Sequence, residues 1–116
     1  MRELDINFPT CPVRNILSRM SDKWSLLVLR ALQKGGVMRY KDLHNAIPDI
    51  SQKMLSSTLK RLEEDCLINR EMHKEIPPRV EYSLTETGKE LMPALVMMIE
   101  WAREHFNEIT GQQSVP

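Results

Sequence analysis

The chain has 116 residues, 41% of them hydrophobic and 28% charged, and its 16 cationic and 16 anionic side chains cancel. That size suits one domain with a modest core, and no apolar run approaches the ~20 residues that cross a bilayer, so a membrane-spanning protein is excluded. Cys11 and Cys66 stand 55 positions apart without a further Cys or His at ligand spacing, which excludes a disulfide framework and a zinc site.

Met1-Arg2-Glu3-Leu4-Asp5-Ile6 has no apolar segment of signal-peptide type, so a reducing cytoplasm is the expected compartment. Net neutrality hides an uneven distribution. Residues 23–50 carry five cations (Lys23, Arg30, Lys34, Arg39, Lys41) against two acids, whereas residues 86–116 carry two against five. A basic middle and an acidic tail fit a molecule with one nucleic-acid face.

Residues 1–9 read as an arm without strong preference. Pro12 to Met20 reads as a short helix, because Pro12 suits a first turn and Val13, Ile16, Leu17 and Met20 form an apolar stripe. Ser21-Asp22 breaks it and offers a cap for Lys23 to Leu32. That segment is apolar nearly all round, so it is the expected buried central helix, and Gly35-Gly36 stops it. Val37-Met38-Arg39 suits a short strand. Tyr40 to Ile47 suits a third helix with Leu43, Ala46 and Ile47 inward, closed before Pro48.

The stretch from Ser51 to Asp65 organises the rest. Leu55, Leu59 and Leu62 stack on one side of a helix, and Ser51 sits where an N-cap belongs. Lys53, Ser56, Ser57 and Lys60 face the other way, and acids wait until Glu63, Glu64 and Asp65. Such a helix can be an ordinary solvated amphipath, or it can enter DNA by its N-terminus. The preceding helix and the tight turn between them favour a helix-turn-helix.

After Cys66-Leu67 the pattern alternates, with Ile68, Arg70 and Met72 set against Asn69, Glu71 and His73. Val80 to Leu84 alternates too, and the proline-stiffened Lys74 to Arg79 joins the runs as a β-hairpin. Two strands alone are marginal, so the strand near Met38 is their expected third partner. Thr85 caps a last helix, about 86 to 108, and Pro93 should kink or split it. Leu91, Leu95, Met98, Ala102 and Phe106 make one stripe, while Met92, Val96, Ile99 and Trp101 spill outside it. The excess points to a second copy. From Gly111 the chain reads as a frayed polar tail.

Taken together, Cys11-Pro12-Val13, Lys23-Trp24-Ser25-Leu26-Leu27, Ile50-Ser51-Gln52-Lys53-Met54-Leu55 and Pro77-Pro78-Arg79-Val80-Glu81-Tyr82-Ser83-Leu84-Thr85 with Gly88 resemble the HxlR branch of the MarR-like winged-helix transcription regulators. The resemblance spans about residues 10 to 105. It implies a mainly α fold with a small β-hairpin (α+β): one winged helix-turn-helix domain, core 10–85, flanked by dimerisation helices at about 12–20 and 86–108. It also implies a homodimer on an inverted-repeat operator in double-stranded DNA, with no cofactor. Two departures stand out. Ser21-Asp22 replaces the family's usual Gly-Gly, and Asp65-Cys66-Leu67 replaces Asp-Gly-Leu, so Cys66 is expected in a left-handed conformation that costs about 1 kcal/mol without glycine.

On this reading Lys53 and Gln52 are the base-edge candidates, since Lys suits guanine O6/N7 and Gln suits adenine N6/N7. Ser51, Ser56, Ser57 and Lys60 would set register on phosphates. Arg39 and Tyr40 would hold the flanking backbone, and Arg79 with Lys74 would reach the minor groove. The expected dimer surface joins Val13 and Leu17 to Leu91, Leu95, Met98, Trp101, Ala102 and Phe106.

A thiol or small-molecule response is a second layer. Cys11 precedes Pro12 at a helix N-terminus, where free N–H groups favour a thiolate, Arg14 is nearby, and some relatives detect oxidants at this position. A small, partly buried cap residue without a signalling role is the plain alternative. A winged helix used only to bind protein is the reading from another class, and the cations at Lys53, Lys60 and Arg79 count against it. An enzyme is not expected: His44, His73 and His105 are scattered, and there is neither a phosphate loop nor a nucleophile elbow.

Overall fold

Three of the five helices in the described residues start where a side chain takes one of the first orphan N–H groups. The computed structural model describes residues 5–111. Its elements run α1 (Pro12–Met20), α2 (Lys23–Gly35), α3 (Tyr40–Ala46), α4 (Gln52–Glu64), β1 (Ile68–His73), β2 (Arg79–Leu84) and α5 (Glu86–Thr110). Asp22 accepts the Ser25 N–H at 2.9 Å, Ser51 the Met54 N–H at 3.0 Å and Thr85 the Gly88 N–H at 3.0 Å. Gly36, at φ 77°, ends α2 and returns its N–H to the Leu32 carbonyl. The result is an α+β winged helix-turn-helix, the architecture expected from the sequence.

α2 is the centre: it packs against α3, α4, α5 and β2. Val28, Leu29 and Leu32 meet Leu43 of α3, Leu55, Leu59 and Leu62 of α4, and Met92 and Leu95 of α5. Burying each leucine contributes roughly 1.5–3 kcal/mol, so three from α4 fix which way its polar side must face. The sequence suggested that α2 is buried all round, but Leu27 is 40% exposed, and Trp24 and Leu26 are only half-buried. One face of α2 is left without a layer in front of it.

β1 and β2 pair antiparallel from Ile68↔Leu84 at the base to His73↔Arg79 at the far end. The expected third strand shrinks to one bridge, in which Met38 and Tyr82 exchange N–H···O bonds of 2.9 and 2.8 Å. The hairpin is anchored toward its base, at Leu67, Ile68, Tyr82 and Leu84. Met72 and Ile76, farther out, are exposed.

The junction after α4 is tight. Cys66 does adopt the left-handed conformation, at φ 62°. The Thr85 hydroxyl donates to the Cys66 carbonyl at 2.7 Å, and the Thr85 N–H to the Leu67 carbonyl at 3.1 Å. A Cβ on Gly88 would collide with that same Leu67 carbonyl oxygen, so only glycine lets the first turn of α5 approach so closely.

Gly88 thereby sets the rotation of α5, and helical spacing carries Met92, Leu95 and partly Ile99 into the core. This corrects the stripe drawn from sequence: Leu95 belongs to the domain's own core rather than to a dimer surface. The helix also runs as one element through Pro93, without the split that proline suggested. Ala46, expected inward, is exposed, and Ile47 takes the core position as the cap of α3. In the arm, residues 5–10 are folded into turns: Phe8 and Cys11 donate N–H bonds to Asp5 and Phe8. The remainder of the arm, 1–4, and the tail beyond Gly111 lie outside the described residues.

Candidate nucleic-acid interface

Burial of Leu55, Leu59 and Leu62 leaves Gln52, Lys53, Ser56, Ser57 and Lys60 exposed along the opposite side of α4. Among the described residues, neither Lys53 nor Lys60 has a carboxylate partner. The acids of α4, Glu63 and Glu64, sit in its last turn, away from the N-terminus where backbone N–H groups add partial positive charge. This surface can accept a polyanion without first breaking ion pairs.

α3 is fastened to this helix by side chains that sequence reasoning had assigned elsewhere or passed over. The Tyr40 hydroxyl donates to the Gln52 carbonyl at 3.0 Å and accepts from the Ser56 hydroxyl at 3.4 Å. One turn on, His44 Nε2–H donates to the Ile50 carbonyl at 3.0 Å. Tyr40, expected on a phosphate, therefore also ties the two helices. Arg39 stays exposed, and its N–H is held by the Asp42 carboxylate at 3.0 Å. The i, i+4 spacing of Tyr40 and His44 was the one sequence clue to this double tie.

The C-terminal half of α4 is braced from behind. Arg61 reaches Asp22 Oδ2 at 2.7 Å and also meets the Ser25 hydroxyl. Arg19 of α1 reaches Asp65 at 2.8 Å. Burial raises the Asp22 pKa, but the Ser25 N–H and hydroxyl and the Arg61 guanidinium outweigh it, holding the carboxyl below its ordinary value.

The wing departs from expectation at one residue. Arg79 is half-buried and engaged, with Nη1 3.1 Å from Glu75 and Nε 3.8 Å from Glu81. Glu81 also accepts from His73 Nε2–H at 2.6 Å. Lys74 remains exposed in the connection. The structure thus brings Arg39, Tyr40, Ser51, Gln52, Lys53, Ser56, Ser57 and Lys60 together on α3 and α4, while Arg79 is committed to the wing's own acids.

Away from this face, α1 buries none of its residues, and Val13, Ile16 and Leu17 lie exposed. Met98 and Trp101 of α5 are 61% and 55% exposed; Ala102 is exposed as well, and Leu91 and Phe106 are half-buried. Trp101 stacks on His105 with ring centroids 4.7 Å apart. Cys11, the N-cap of α1, is a free thiol only 6% exposed. Arg14, considered as its helper, donates instead to the Asn7 carbonyl at 3.1 Å.

Comparison with known proteins places these features. The family profile described as HxlR-like helix-turn-helix matches residues 19–110. An uncharacterized HTH-type transcriptional regulator of Methanothermobacter thermautotrophicus is 45% identical over 93 residues, covering 80% of this chain and 70% of that protein. Among solved structures, the transcriptional regulator YtfH of Salmonella typhimurium superposes with a TM-score of 0.82 at 32% identity, covering 95% of this chain and 97% of that one. The redox regulator HypR in its oxidised form gives 0.74 at 33% identity, covering 90% and 100%.

Proposed function

The chain belongs to the HxlR-like helix-turn-helix family of transcriptional regulators, and from that premise we propose that it works as a homodimer on an inverted-repeat operator. It would act in the cytoplasm, as one winged-helix domain with a DNA-binding core of residues 10–85. The observation that carries the reading is the outer side of α4: exposed, unpaired in charge and capped by Ser51 at the end that leads. Lys53 and Gln52 read base edges in the major groove, Ser51, Ser56, Ser57 and Lys60 fix register on phosphates, and Arg39 and Tyr40 hold the flank. Lys74 and Arg79 bring the wing to the neighbouring minor groove, Arg79 by exchanging a carboxylate for a phosphate. The uncovered apolar side chains of α1 and α5, Val13, Leu17, Met98, Trp101 and Ala102 with Leu91 and Phe106 beside them, meet those of the second copy.

Selection of bound sequences from a random DNA pool tests this reading. The expected product is a palindrome with half-sites about one helical turn apart, ~34–36 Å. A pool that yields no enriched sequence, or binding unaffected by salt, would sink it. In the same experiment a monomer in sedimentation would remove the two-fold part, and a Trp101→Glu chain is expected to become monomeric and lose the operator.

A thiol response is the second reading, favoured by a free Cys11 at the head of α1 and by the likeness to HypR. Its near-complete burial means the thiol must be uncovered before an oxidant or electrophile reaches it. Diamide treatment of the chain and of Cys11→Ser tests the idea: release of DNA by the first alone supports it, and equal release by both refutes it.

A further inference from the structure

The wing ends in an isoleucine that packs on nothing. Ile76 is 102% exposed, more than any other large apolar side chain among the described residues. Pro77 and Pro78 follow it, both exposed. Their rings fix φ, so the tip has little freedom to lose when it is gripped. A lone exposed isoleucine needs no explanation on an ordinary surface. Here the charges around it and the reach of the hairpin give it a use.

Between Glu71 and Glu81 the hairpin has two cations, Lys74 and Arg79, against three acids. Arg79 is held between Glu75 and Glu81, and His73 lies 2.6 Å from Glu81. Until Arg79 makes the exchange suggested above, Lys74 is the one lysine or arginine of this segment without a carboxylate partner. A segment so balanced gains little from phosphates as a whole. What its tip can offer a groove is shape and apolar surface. β1 packs against α4, and its six residues carry the tip roughly 17–20 Å outward at ~3.3 Å per residue. Half a turn of B-DNA, the step from a major groove to the next minor groove, is about 17 Å.

We propose that Ile76 is a specificity-determining residue, which wedges into that minor groove and partly unstacks one base step while α4 occupies the major groove. This rests on the operator reading. Isoleucine and proline are among the side chains that kink DNA in this way. The cost of opening depends on the step: TA and CA/TG steps yield easily, whereas A-tracts are stiff. The wing therefore selects a flexible step at a fixed distance from the centre of each half-site, with no hydrogen bond to a base. Lys74, two residues earlier, holds a phosphate beside it.

The test uses the full chain and the operator obtained by selection. A TA or a stiff AA step is placed at each flanking position in turn, with 2-aminopurine beside it to report unstacking, and affinity is read by anisotropy. The wild type is expected to prefer TA at one symmetric pair of positions by at least about fivefold, the low end for one unfavourable base pair. The 2-aminopurine fluorescence should rise at the same place. Ile76→Ala should lose both effects and Ile76→Leu should keep them; full exposure means that neither substitution disturbs the fold. An Ile76→Ala chain with an unchanged flank preference overturns the proposal, as does a uniform loss over all flanks without unstacking. So does an Ile76→Ala chain that loses DNA because it has become monomeric in sedimentation, the outcome if the tip meets a second copy. A wild type that selects no operator defeats the operator reading itself, whereas a wild type that binds its operator with indifferent flanks defeats the wedge alone.

Discussion

The Tyr40 hydroxyl donates to the Gln52 carbonyl oxygen at 3.0 Å, closing the turn between α3 and the first turn of α4. Tyr40→Phe keeps the ring and deletes this bond together with its link to Ser56. The expected loss of stability is about 1 kcal/mol, with a several-fold loss of operator affinity because the leading turn of α4 is less well held. Urea melts and fluorescence anisotropy measure the two quantities. Unchanged affinity would show that the His44 bond to Ile50 suffices alone.

Lys53 and Lys60 lie on the same side of α4, two turns apart, and should fail differently. Lys53→Ala is expected to cost ~1–3 kcal/mol of binding and to relax preference at one base position. Lys60→Ala should weaken all sequences alike and lower the salt slope by about one ion. Competition binding over a panel of single-base operator variants separates them. Identical profiles would move Lys53 to the phosphate group.

Asp22 predicts a pH dependence whose sign follows from its lowered pKa. A carboxyl with a lower pKa in the folded chain stabilises fully above its unfolded value, near 3.9, and the gain disappears as pH falls through the folded value. Stability measured in urea between pH 6 and pH 3 should therefore decline less steeply in Asp22→Asn than in the wild type. Asp22→Ala, which also removes the α2 cap, is expected to cost at least about 1 kcal/mol near neutral pH.

Cys66 holds φ 62° without being glycine. Cys66→Gly is expected to raise stability by about 0.5–1 kcal/mol, relieving the left-handed strain against a smaller entropic loss. Cys66→Ala keeps the Cβ and should not gain. Equal melting midpoints for the two variants would show that the strain is absorbed elsewhere.

Where one face is buried and the other solvated, the sequence was sufficient. Leu55, Leu59 and Leu62 fixed both the existence and the outward side of α4, and Ser51 fixed its start. α5 was harder, since apolar residues surround it and periodicity alone cannot choose a phase. A single close approach, Gly88 against Leu67, makes that choice, and no spacing rule reveals it. Arg79 shows the other limit. Its counter-charges Glu75 and Glu81 were visible in the sequence, but only the hairpin register, with His73 opposite Arg79, shows that they gather around it. For Cys11 the place at a helix start was legible, but the near-complete burial, 6% exposed, was not.

The glycine at position 88 has one more effect. With no gap between the head of the long C-terminal rod and the loop behind the DNA-facing one, the two cannot slide past each other. On the proposed homodimer, a second copy gripping the rod's far end would therefore bear on how widely the pair opens its jaws.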